Sequence, residues 1–239
     1  MAEFCKNCNS ELNGKFCSNC GQSAKLKRID AHYIKHEIEH VLHLERGIFY
    51  TIKELLIRPG KNVRDFLTEN RNRLVKPIIF IIVTSLIYTI VDHFFHIEEQ
   101  YDSYNELEIT TTGKMLKWMR EHYGYSNILM GIFIAFFIKI LFRRANYNIY
   151  ELIILLCFVM GFSMLIFAFF LLVQGLFHVN VFHFAGILAV AYSTFAITDF
   201  FDKKKLINYL KSFFAYVLGM ISFYVLIVII GFLIDKIFK

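Results

Sequence analysis

The chain has 239 residues, 56% of them hydrophobic and 19% charged, with a formal net charge of +6 and a mean hydropathy of +0.49. The charges are bunched: no Asp, Glu, Lys or Arg occurs in the 47 residues between Glu151 and Asp199, nor in the 23 from Ser212 to Ile234. Gaps of this kind exclude a soluble globule, a disordered tail and a secreted disulfide mini-protein, and they predict an all-α polytopic membrane protein.

Residues 1–23 carry the first chemical signal. Cys5-Lys6-Asn7-Cys8 and Cys17-Ser18-Asn19-Cys20 form two C-x-x-C knuckles. Four thiolates from two tight turns suit one tetrahedral, structural zinc per chain, with Cys5, Cys8, Cys17 and Cys20 as ligands in a zinc ribbon. Asn13-Gly14, flanked by Leu12 and Phe16, is a hairpin signal, and Asn9 and Gly21 follow the knuckles where positive φ is tolerated. Paired disulfides are the competing reading, and a cytoplasmic head argues against them because thiols stay reduced there. Two matched knuckles also differ from a redox C-x-x-C. Lys6 and Lys15 are the only basic residues before residue 23, so no nucleic acid is expected, and a protein partner is the better match.

Residues 24–76 form an amphipathic juxtamembrane elbow. From Asp30 to about Glu45 the pattern predicts a helix with Ile34, Ile38, Val41 and Leu42 on one face, while His32, His36, His40 and His43 stripe another. That stripe is a candidate second metal site. Within it, His36-Glu37-Ile38-Glu39-His40 formally matches H-E-x-x-H, the zinc-protease pattern. Charged Glu39 and the lack of a third ligand nearby make a polar face meeting water or a partner the preferred reading. Next come two short amphipathic helices broken at Pro59-Gly60, with Ile48, Ile52, Leu55 and Leu56 lining the first and Val63, Phe66 and Leu67 the second. Arg58, Lys61, Arg64, Arg71, Arg73 and Lys76 surround them and are expected to meet anionic headgroups of the inner leaflet.

The string Leu42-His43-Leu44-Glu45-Arg46-Gly47-Ile48-Phe49-Tyr50-Thr51, then Leu55-Leu56-Ile57-Arg58-Pro59-Gly60, Val63-Arg64-Asp65-Phe66-Leu67, Asn70-Arg71-Asn72-Arg73 and Lys76-Pro77, resembles the bacterial, Bacteroidota-type membrane-protein family called domain of unknown function 3667. Members often begin with a four-Cys ribbon. The resemblance covers about residues 1–90. The chain departs from it at Glu69-Asn70-Arg71, where a Gly-Lys-Arg-like triplet is usual. It implies a setting in the bacterial cytoplasmic (inner) membrane and no catalytic residues.

The bundle, residues 77–239, is predicted to cross the membrane five times, over about 77–97, 126–142, 149–173, 179–198 and 212–234, with a turn at Gln174–His178 inside the long uncharged gap. No apolar core of signal-peptide length precedes Pro77, so the N-terminal segment is expected to be retained. Of the 26 basic residues, 14 precede the first span; Arg143-Arg144 and Lys203-Lys204-Lys205 with Lys211 mark the second and fourth loops. The first loop is acidic and the third uncharged. This alternation predicts a cytoplasmic N-terminus and an external C-terminus, with Lys236 and Lys239 dissenting.

Polar residues in the spans are the remaining candidates. Asp92, His93, His96, His122, His178 and His183 map to the outer boundary as a candidate polar or metal site, and Lys139 with Glu151 to the inner one as a candidate pair. Met115-Leu116, Trp118-Met119 and Tyr123 suggest a short interfacial helix. Small-residue stripes, Ser212, Ala215, Gly219 and Ser222 in span five and Ala185, Ala189 and Ser193 in span four, predict close helix packing. Cys157 is expected to be a buried bystander. The leading expectation is a non-enzymatic inner-membrane adaptor or complex subunit whose ribbon docks a cytosolic protein. The alternatives are a small transporter or channel using the outer His/Asp residues, and a membrane metalloprotease.

Overall fold

Proline and the caps divide the chain into its helices. The computed structural model describes residues 4–5, 8, 10–11, 14–20, 47–95 and 110–237. Among these are eight α-helices and no β-strand: α1 (Ile48–Ile57), α2 (Pro59–Thr68), α3 (Pro77–Phe95), α4 (Thr111–Glu121), α5 (Tyr123–Leu141), α6 (Ile149–Phe177), α7 (Phe182–Phe201) and α8 (Leu206–Ile237). Five of them, α3, α5, α6, α7 and α8, are long and apolar enough to cross a membrane. The predicted helix over 30–45 with its His stripe, the H-E-x-x-H match, His96, and Asn9, Leu12, Asn13 and Gly21 lie outside the described residues.

The chain divides into two units, Met1–Glu45 and Arg46–Lys239. In the first, the described residues include the four cysteines, an isolated antiparallel bridge between Phe4 and Glu11, and the Cys5 N–H donating to the Ser10 carbonyl. In the second, the elbow helices α1 and α2 belong with the spans, so the segment expected as a separate elbow is divided at residue 45. The cause is packing: Leu55, Val63 and Phe66 join the same buried cluster as Phe80, Phe158 and Phe200.

Local chemistry explains where the helices start and stop. Pro59 has no N–H to continue α1 and occupies the first position of α2, where none is needed. Asn148 and Glu151 close a reciprocal capping box on α6, so Glu151 does not pair with Lys139; the Lys139 ammonium donates to the Tyr147 carbonyl instead. The turn after α6 falls later than the sequence suggests. Gln174 is still helical, His178 takes the left-handed conformation (φ 54°), and the Gln174 side-chain oxygen accepts from the Val181 and Phe182 N–H groups at 3.2 and 3.0 Å, capping α7. Helix α4 begins with Thr110 accepting from the Gly113 N–H, and its Thr111 is bound by the Asp235 carboxylate of α8.

Helix α6 is the centre, with α3, α5 and α7 packed on it, and α8 closes the bundle against α5 and α7. Lipid is as apolar as leucine, so close contact and hydrogen bonds hold such helices together. Ala185, Ala189, Ser193, Ser212, Ala215 and Gly219 are all buried. A Cβ on Gly219 would strike the Ile134 backbone, so α5 and α8 touch there. Ser163 bonds Ser193 at 3.2 Å between α6 and α7, and Thr198 donates to Ser212 at 2.9 Å between α7 and α8. Cys157 is buried in the core.

Candidate functional site

The head places its four cysteines as a donor set. Cys5, Cys8, Cys17 and Cys20 have Sγ atoms all within 4.8 Å of one another, and every one is a free thiol. Such a cluster could hold a metal ion. Ser10 sits between the knuckles, its hydroxyl 2.7 Å from the Cys8 Sγ and 3.4 Å from the Cys17 Sγ. The hydrogen bond from Ser10, with the backbone N–H groups of Cys20 and Asn19, pulls the Cys17 thiol down to about 6, and Ser10 likewise lowers Cys8. Lowered thiols favour the thiolate that a metal needs.

In the bundle, the break between α1 and α2 meets the end of α7. The Asp199 carboxylate, only 4% exposed, accepts from the N–H groups of Gly60 at 2.9 Å and Lys61 at 3.2 Å. It thereby caps α2 from a residue 139 positions away, and its second oxygen pairs with Lys203 at 2.9 Å. Arg64 then donates to the Asp199 and Phe200 carbonyls at the C-terminal end of α7. Opposite charge is brought to each helix terminus. Gly60 is required by the approach itself, since a Cβ there would overlap the Asp199 and Phe200 backbone. Tyr192 adds a hydrogen bond to the Leu55 carbonyl at 3.1 Å, and Thr51 accepts from the Val75 N–H at 3.1 Å.

The basic residues expected at headgroups fall into two sets. Arg58, Lys61, Arg71 and Lys76 are exposed, whereas Arg64 is in the clamp and Arg73 is held by Tyr50, Glu54 and Asp65 at 3.0–3.5 Å. On α1, Leu56 is 61% exposed, and the buried face runs through Thr51 and Leu55. Among the described residues, the four cysteines are the group of ligand side chains close enough to share a metal. Asp92, His93, His122, His178 and His183 are not gathered in that way. His122 stacks on Trp118 at 4.7 Å, and His178 ends α6.

The family model described as Protein of unknown function (DUF3667) matches residues 45–89. No curated protein and no solved structure matches the chain. The matched stretch comprises α1, α2 and the first part of α3, and so includes Arg58, Pro59, Gly60 and Arg64 of the clamp. The other half of the clamp, Asp199, escaped sequence reasoning. Its signal was faint: a carboxylate ending the 47-residue uncharged stretch, four residues before Lys203.

Proposed function

We propose that the chain is a non-enzymatic subunit or adaptor of the bacterial cytoplasmic membrane, whose head holds one structural zinc and docks a cytosolic protein. The observation that carries this is the thiol cluster on a multi-pass bundle. A tetrahedron of zinc–sulfur bonds of about 2.3 Å has edges of about 3.8 Å. The Cys5–Cys20 and Cys8–Cys17 Sγ separations of 3.5 Å fit that size. With so small a core, metal would supply the head's folding free energy, on the order of 10 kcal/mol. Phe4 and Phe16 on the head are 60% and 66% exposed, and aromatic side chains of this kind anchor protein contacts.

The orientation we propose, N-terminus cytoplasmic and C-terminus external, draws support from where the basic segments meet. The elbow touches the end of α7 through Asp199, and Phe201 at that end stacks on Phe142 at the end of α5, 3.9 Å between centroids. Three Lys/Arg-rich segments thus share one end of the bundle, where an anionic inner leaflet would hold them.

The test is native co-purification from membranes. Wild-type chain should carry about one zinc and a specific protein. A variant with all four cysteines replaced by serine should lose both while still inserting. The same proteins recovered with both chains would sink the docking role.

A further inference from the structure

Between the helices lies a cavity of about 560 Å³, within the range of small-molecule sites. Its walls come from α3 through α8 and are mainly apolar. Met119, Met130, Met160, Met164 and Met220, five of the seven methionines, line it. Unbranched thioethers adapt to flexible apolar ligands of varied shape. One wall residue is out of place in such a lining. Asn127 on α5 is 4% exposed, and its Nδ2 has no hydrogen-bond partner among the described residues. A buried amide donor left unsatisfied is destabilising, so an acceptor that arrives with a ligand would supply the missing hydrogen bond. Arg120 of α4 lines the same cavity and adds a cationic side chain.

The cavity has a neighbour on the bundle's outer surface. A groove between α7 and α8, with a volume of about 700 Å³, is lined by Ile187, Ala191, Phe195, Phe213 and Val217, and Gly186 and Val190 line both spaces. A Cβ on Gly186 would meet nothing within 4 Å, so the wall is open at that position. The groove faces where acyl chains would lie.

We propose that the bundle binds one single-chain amphiphile, a fatty acid or monoacyl lipid, that enters from the bilayer between α7 and α8 past Gly186 and sets an acceptor oxygen of its head against the Asn127 amide. The methionine walls take the chain. The cavity is too small for a whole diacyl lipid, which selects one chain.

Trp118 is the sole tryptophan and sits on α4 beside the lining residues Met119 and Arg120, so it reports on the site. Full-length protein in liposomes of diacyl phospholipid is titrated with cis-parinaric acid, and energy transfer from Trp118 is followed. The wild type should show a saturable component at about one probe per chain over a linear background from probe in the bilayer. Gly186→Leu should remove the saturable component without lowering thermal stability, because leucine suits a helix better than glycine and its Cβ meets nothing within 4 Å. Asn127→Leu should weaken it about tenfold, the size of one lost hydrogen bond, while leaving the melting temperature equal or higher. A merely structural Asn127 would instead lose stability when replaced. Competition by palmitate or by lysophosphatidylglycerol then tells a carboxylate head from a monoacyl phospholipid, and either result supports the site. Saturable transfer that survives both substitutions, or only linear transfer in the wild type, overturns it.

Discussion

At the residue scale, two small side chains govern the two candidate sites. Gly60 is fixed by contact with the Asp199 and Phe200 backbone, which cannot yield as a flexible side chain would. Gly60→Ala should therefore destabilise the bundle by about 3 kcal/mol, the upper end for atoms forced into a packed site, measured as thermal unfolding of the solubilised protein. An unchanged midpoint would mean that α2 does not seat on α7. Ser10 works through a hydrogen bond. It holds the Cys17 thiol near 6, below the ordinary thiol range, so protons compete weakly with metal there. Ser10→Ala lets the thiol rise, strengthens proton competition, and should move the pH of half-release upward in a metal-indicator titration. The cysteine spacing was legible in the sequence because two C-x-x-C knuckles are local. The serine's role was not, because it depends on which sulfur atoms the folded loop brings beside it.

At the element scale, helix ends explain more than helix middles. Local devices cap α4 and α6, and Asn148 with Glu151 could be found three residues apart by inspection. The α2 terminus is different, since its first N–H groups are satisfied by a carboxylate on α7. Asp199→Asn keeps an acceptor but loses the charge that serves both the N–H groups and Lys203. We expect a loss of about 1 kcal/mol, with faster hydrogen exchange at the Gly60 and Lys61 amides. Asp199→Ala leaves those buried donors bare and should cost about 3 kcal/mol. Equal stability in both variants would remove the clamp from the account. Amphipathic periodicity correctly predicted that α1 and α2 exist and break at Pro59. It grouped Leu56 with Ile48, Ile52 and Leu55 on one apolar face, of which Leu55 is buried and Leu56 exposed, because a helical wheel gives the apolar arc but not how much of that arc a neighbour covers. Leu56, Ile57 and Phe49 remain exposed, an apolar surface that suits the headgroup boundary.

At the scale of the whole molecule, head and bundle are separate compact units. Stripping metal with a chelator should abolish amide protection around Cys5–Cys20 while the bundle's unfolding midpoint stays where it was; a bundle that melts with its head would show the two to be one cooperative body. The sequence by itself determined the class, the number of spans and the thiol set. Those follow from runs of apolar residues about as long as a bilayer is thick, and from ligands a few residues apart. Only the tertiary structure decided that the Pro59-Gly60 break clamps onto Asp199, that Lys139 and Glu151 go to different partners, and that the methionines of four helices and Asn127 share one cavity. The physical reason is that each of these depends on which faces of distant helices meet. In an all-apolar bundle, periodicity loses its contrast between the side that meets lipid and the side that meets protein.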